Sequence, residues 1–149
     1  RSGAGHSLSL SYPIRIKQRD ERHFAVKGTP TDCALLGVYE LMGDRRPDIL
    51  LSGINRGPNL AEDITYSGTA SAAIEGAMLG IPSVALSQVI TYQSEIHWGT
   101  AAKYAPGVIK HLLDMEWEKG TFVNVNFPNC PPDAVTGVRV TKQSNLPIR

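Results

Sequence analysis

The stretch from Asp48 to Ser87 constrains the fold more than any other part of this chain. It opens on a short apolar run, Asp48-Ile-Leu-Leu-Ser52, bounded by turn formers as a buried parallel strand should be. The run then breaks into small polar residues, Leu51-Ser-Gly-Ile-Asn-Arg-Gly-Pro-Asn59, and after an acidic interval into Tyr66-Ser-Gly-Thr69. Next comes an alanine-rich pattern, Ala70 to Leu79, which reads as a helix with its first turn at Ser67, Gly68 and Thr69, able to pack close to a sheet and terminated by Gly80 and Pro82. Ser83-Val-Ala-Leu-Ser87 is a second buried strand. Strand, helix and strand with tight connections predict parallel pairing through a right-handed crossover, and hence an α/β fold.

The flanking segments fit this frame. Leu8 to Tyr12 alternates with period two, as a half-buried strand does, and a charged stretch from Ile14 to Arg19 followed by His23 to Val26 reads as an edge hairpin. Gly28-Thr-Pro-Thr-Asp32 is a helix start: Thr29 can cap, Pro30 suits the first helical position, and Asp32 complements the helix dipole. Leu35, Val38, Tyr39 and Met42 then recur at helical spacing up to Gly43, which places Cys33 and Tyr39 among expected core residues. A second long helix is expected from Ile96 to Leu113, with Pro106 and Gly107 predicting a kink or a broken start. His97 and His111, more than three turns apart on it, are read as surface or capping residues rather than a metal pair. Thr121 to Phe127 and Gly137 to Thr141 both alternate as strands. The expected architecture is therefore a mostly parallel sheet with flanking helices and a β-hairpin excursion near its N-terminal end.

Composition excludes several function classes. Fifteen Lys and Arg stand against fourteen Asp and Glu, giving a net charge of +1, so bulk charge offers no surface for a nucleic acid polymer. No run approaches the roughly 20 apolar residues that span a bilayer. Cys33 and Cys130 belong to no C-x-x-C pair and read as buried or half-buried free thiols of a reducing, cytoplasmic protein.

Standard catalytic signatures are absent: there is no G-x-G-x-x-G, Walker lysine loop, H-E-x-x-H or G-x-S-x-G. Ser67 lies at a strand-to-helix approach but has no candidate base nearby, which argues against a nucleophile. Anion binding suits the residues better, because the hydroxyls of Ser67 and Thr69 and the first helical N–H groups would surround a phosphate while Gly68 lets the backbone approach. Asn55 and Asn59 are either plain turn formers or, for Asn55 at a strand's carboxyl end, an amide oxygen able to ligate a hard divalent cation. Glu62 and Asp63 are as readily a solvated acidic turn.

Taken together, Arg1-Ser-Gly-Ala with Ser7-Leu8, Gly28-Thr-Pro-Thr-Asp-Cys33, Pro47-Asp48, Ser52-Gly-Ile-Asn-x-Gly-x-Asn59, Tyr66-Ser-Gly-Thr69 and Asn124-x-Asn126-x-Pro128 resemble the SurE (stationary-phase survival protein) family. The resemblance covers almost the whole chain in order. It implies a Rossmann-like fold and a metal-dependent phosphatase acting on nucleoside 5′- and 3′-monophosphates, working as a homodimer or homotetramer. It also implies a single Mg2+ or Mn2+ ion held in part by Ser2 and Asn55, with Ser67, Gly68 and Thr69 on the phosphate.

One departure is informative. The family's other metal ligands are two adjacent aspartates upstream of the R-S-G-A loop, and no Asp-Asp pair occurs in this sequence. Residues 1–149 are thus expected to be one SurE-like domain lacking the first strand and helix and the C-terminal oligomer segments. Such a segment is expected to bind the cation poorly, to be nearly inactive, and to expose a sheet edge. No catalytic acid or base is assigned within it. The alternative is a non-catalytic nucleotide or phosphate-binding module using the same anion pocket.

Overall fold

A computed structural model describes residues 3–144. Its centre is a parallel three-stranded sheet in the order β3-β4-β5, formed by Leu50–Arg56, Ser83–Gln88 and Val123–Phe127. The antiparallel pair β1 (Ile16–Gln18) and β2 (Phe24–Val26) stands apart as the expected hairpin. Between them runs α1 (Pro30–Leu36), which continues as one wider π-helical turn to Leu41. A single turn, α2 (Asp63–Tyr66), leads into α3 (Gly68–Met78), and α4 (Trp98–Leu113) joins β4 to β5.

Local chemistry explains the best-defined helix start. Thr29 Oγ1 accepts from the Asp32 N–H at 3.1 Å while Asp32 Oδ2 accepts from the Thr29 N–H at 2.7 Å, a reciprocal capping box. Asp32 also accepts from the backbone and hydroxyl of Ser9, and Thr29 Oγ1 donates to the Ser7 carbonyl, so the same cap fastens the N-terminal loop.

Strand β4 is buried along its whole length, and its alternation decides what packs on each face. Val84 and Leu86 join Ala101 and Ala105 of α4 and Phe127 of β5 in the apolar core. On the opposite face, Ser83, Ala85 and Ser87 are small, as are the residues of α3 that meet them. A Cβ at Gly76 would collide with Ser83 Oγ and come within 2.9 Å of Leu50 Cδ1. Glycine there lets the helix lie close on β3 and β4. Arg46 closes its far end, donating to the carbonyls of Leu79 and Gly80 at 2.7 and 2.8 Å.

Several expectations need correction. Leu8 to Tyr12 and Gly137 to Thr141 form no strand; Val140 is 97% exposed, and among the described residues no strand pairs with either segment. Strand β3 is an edge strand whose burial alternates, with Leu51 46% exposed, rather than a fully buried one. Cys33 and Tyr39 are exposed, because the face of α1 and its π turn that they occupy is left uncovered; Cys130 is half-buried, and both thiols are free. Pro106 sits inside an unbroken α4. Among the described residues no helix is long and apolar enough to cross a membrane.

Candidate functional site

The site is assembled where β3, β4 and β5 end. Helix α3 runs back from this end, so its N-terminus and the strand termini face the same region, as open parallel sheets require. Ser67 is the cap residue of α3, one position earlier than a place in the first turn. Its Oγ accepts from the Ala70 N–H at 3.1 Å, and its carbonyl accepts from the Ser71 N–H at 2.9 Å and the Ser71 hydroxyl at 2.7 Å. Those bonds satisfy the third and fourth amides of the helix. The N–H groups of Gly68 and Thr69, the first two, lie ahead of the intrahelical ladder, and among the described residues nothing outside α3 accepts from them, so they are the amides open to an anion. Among the described residues Ser67 Oγ is used only as an acceptor by Ala70, which leaves its own proton for an anion.

Asn55 lies near the end of β3, opposite Ser87 in register, just past an irregularity between Ser52 and Asn55. Gly53 occupies φ +136°, and a Cβ there would strike the Leu86 carbonyl, so this turn of the chain requires glycine. The Asn55 side chain is oriented by its Nδ2, which donates to the Gly57 carbonyl at 2.9 Å. That commitment leaves Oδ1, a hard neutral oxygen of the kind Mg2+ and Mn2+ accept, as the end free to ligate. Among the described residues, no group of three or more His, Cys, Asp and Glu could hold a metal ion. Asn55 therefore fits such an ion as one ligand of a set.

Ser2 lies outside the described residues. The loop that follows it does lie beside the helix start: the Gly5 N–H donates to the Tyr66 carbonyl at 3.1 Å, and His6 Nε2 meets Glu75 Oε2 on α3 at 2.7 Å. Ser67, Gly68 and Thr69 are brought together on α3, and Asn55 stands at the same end of the sheet. Asn59, Asn124 and Asn126, which sequence motifs included without a role, meet in one hydrogen-bonded cluster behind Asn55. Their shared signal was position: Asn124 and Asn126 are two apart on one strand and so share a face.

Comparison with known proteins places this geometry. Residues 1–148 match the family model described as Survival protein SurE. The chain is 50% identical over 145 residues to a protein named 5′-nucleotidase SurE from Bradyrhizobium sp. (strain ORS 278), covering 96% of this chain and 57% of that protein. It is 52% identical over 146 residues to a protein of the same name from Caulobacter vibrioides (strain NA1000 / CB15N), covering 96% and 56%. The crystal structure of Sure protein from Aquifex aeolicus superposes with a TM-score of 0.87 at 43% identity, covering 95% of this chain and 57% of that one. The chain thus spans less than two thirds of the length of these relatives.

Proposed function

Since the chain belongs to the SurE family, we propose that it carries the phosphate-holding part of a metal-dependent phosphomonoesterase that hydrolyses nucleoside 5′- and 3′-monophosphates. The observation that carries this reading is the start of α3: Ser67 caps Ala70, and among the described residues the amides of Gly68 and Thr69 find no acceptor outside the helix, at the carboxyl end of a parallel sheet. The relatives' name, 5′-nucleotidase, supports the substrate class.

In this reading the Gly68 and Thr69 amides and the Ser67 and Thr69 hydroxyls bind and orient the phosphoryl oxygens. They also offset the charge that grows on those oxygens during hydrolysis. Asn55 Oδ1, with Ser2, would hold a Mg2+ or Mn2+ ion in part, each offering a neutral oxygen. Such an ion, when bound, supplies charge neutralisation and a water of lowered pKa. No residue of this chain is assigned as the general base. The working protein is proposed to be a homodimer or homotetramer.

The test is phosphate release by the intact protein from a panel of nucleoside 5′- and 3′-monophosphates, with Mg2+ or Mn2+ and again after chelation. Metal-dependent release is expected. Retained phosphate binding with no release from any substrate would instead select the non-catalytic binding module.

Ser67→Ala and Thr69→Ala give a second expected outcome. Each removes a hydroxyl from the anion pocket, so inhibition by inorganic phosphate should weaken about tenfold, the worth of one charge-assisted hydrogen bond. Inhibition constants equal to wild type for both variants would remove these hydroxyls from the site.

A further inference from the structure

The loop that carries Asn55 does not hold its own shape. After Asn55 it is fixed to the neighbouring strands at two places. The Gly57 N–H donates to the Gln88 carbonyl at the end of β4, at 2.9 Å. Four bonds then converge on Asn59, which is buried. Its N–H donates to Asn126 Oδ1 at 2.9 Å, and its carbonyl accepts from Asn126 Nδ2 at 3.1 Å and from Asn124 Nδ2 at 2.8 Å. Its side chain donates to Ser87 Oγ at 2.7 Å. The Asn126 amide thus reads the N–H and C=O of a single residue, as a neighbouring strand's backbone does, although the chain at Asn59 is no longer in the sheet.

This arrangement leads back to the metal-facing atom. Asn55 Nδ2 donates to the carbonyl of Gly57, and Gly57 is held between the Gln88 anchor and the Asn59 anchor. Loosening Asn59 leaves Gly57 held on one side only, by Gln88, and so loosens the acceptor that orients the Asn55 side chain. Helix α3 and its anion-binding amides are not part of this chain of bonds. The Ser67 cap is closed within α3 itself.

We infer that Asn124 and Asn126 are positioning residues which, through Asn59, hold Asn55 Oδ1 at the cation, and that they act on metal binding without acting on phosphate binding. This rests on the proposed role of Asn55. Partners that orient a metal ligand typically govern metal affinity by 10- to 100-fold when removed. Asn126, with two bonds to Asn59, should matter more than Asn124, with one.

The experiment compares Asn124→Ala and Asn126→Ala with wild type in the intact protein, measuring Mn2+ binding by the paramagnetic signal of the free ion and inorganic phosphate binding by calorimetry. Amide hydrogen exchange of residues 55–59 is read in parallel. Asn129→Ala is the structural control. Asn129 follows β5 too and makes several bonds, accepting from the His97 N–H at 3.0 Å and donating to Ser94 Oγ and the Glu95 carbonyl, but none reaches the 55–59 loop.

The expected result is an Mn2+ dissociation constant raised about tenfold in Asn126→Ala, less in Asn124→Ala, with phosphate affinity unchanged and faster exchange at 55–59. Asn129→Ala should leave Mn2+ affinity unchanged whatever it does to stability. Unchanged Mn2+ affinity in both β5 variants overturns the inference, and so does a parallel loss of Mn2+ and phosphate affinity. Absence of Mn2+ binding in wild type sinks the metal reading itself, and the exchange data then decide the pinning alone: unaltered exchange at 55–59 refutes it.

Discussion

Replacing Asn55 with alanine in the intact protein is expected to lower metal-dependent release of phosphate from nucleoside monophosphates by about 100-fold or more, the upper end of what removing a metal's orienting partners costs. The cost in stability should be small. Asn55 is half-buried and makes one side-chain bond, to the Gly57 carbonyl, worth about 1 kcal/mol. The signature is therefore a large fall in turnover with little change in the urea midpoint. Asn55→Asp sharpens the experiment, because a carboxylate keeps a hard oxygen in place and adds charge. It should recover much of the lost metal affinity while losing the Gly57 contact. Full activity in Asn55→Ala would take this residue out of the site.

The second large effect is on stability. Asp32 is buried and accepts from the Thr29 N–H at 2.7 Å, the Ser9 hydroxyl at 2.6 Å and the Ser9 N–H at 3.0 Å. Burial alone raises its carboxyl pKa, but the donors from Ser9 and Thr29 outweigh that and hold it below the usual carboxylate range. Asp32→Asn removes the charge and turns an N–H2 group toward these donors, so a loss of about 2 to 4 kcal/mol is expected. The pH dependence follows from the direction of the shift. With the folded pKa depressed below an unfolded value of about 3.9, the stabilisation is fully present above that value and disappears as pH falls through the folded pKa. In urea titrations the gap between Asp32→Asn and wild type should be widest near neutrality and close in strong acid. A gap that stays constant through pH 3 and below would show that the loss is not tied to ionisation.

Local chemistry was the legible part of this fold. Thr29, Pro30 and Asp32 announce a cap because their bonds close within four residues, and Ser67 was placed within one position for the same reason. Strand β4 was readable from its apolar run bounded by turn formers. Alternation misled where no neighbouring strand lay alongside. Leu8 to Tyr12 and Gly137 to Thr141 have the period of strands, but a strand exists only against a second one, and period says nothing about that. Helical spacing likewise identified a face on α1 without saying whether anything covers it, so Tyr39 proved 64% exposed. In the site, Asn55 and the start of α3 were recognisable from residue type and motif. The clamp on Asn59 was not, since its members are about 65 residues apart along the chain and meet only through the parallel order of β4 and β5.

With Gly76 seated against the side chains of Ser83 and Leu50, the bare glycine backbone sets how low α3 sits on the sheet. The helix behaves as a ruler clamped towards the end away from the site. A single methyl added at residue 76 has no room against Ser83 and Leu50, so it is expected to push that ruler off the sheet and to shift the start of α3 relative to Asn55, which the methyl never approaches.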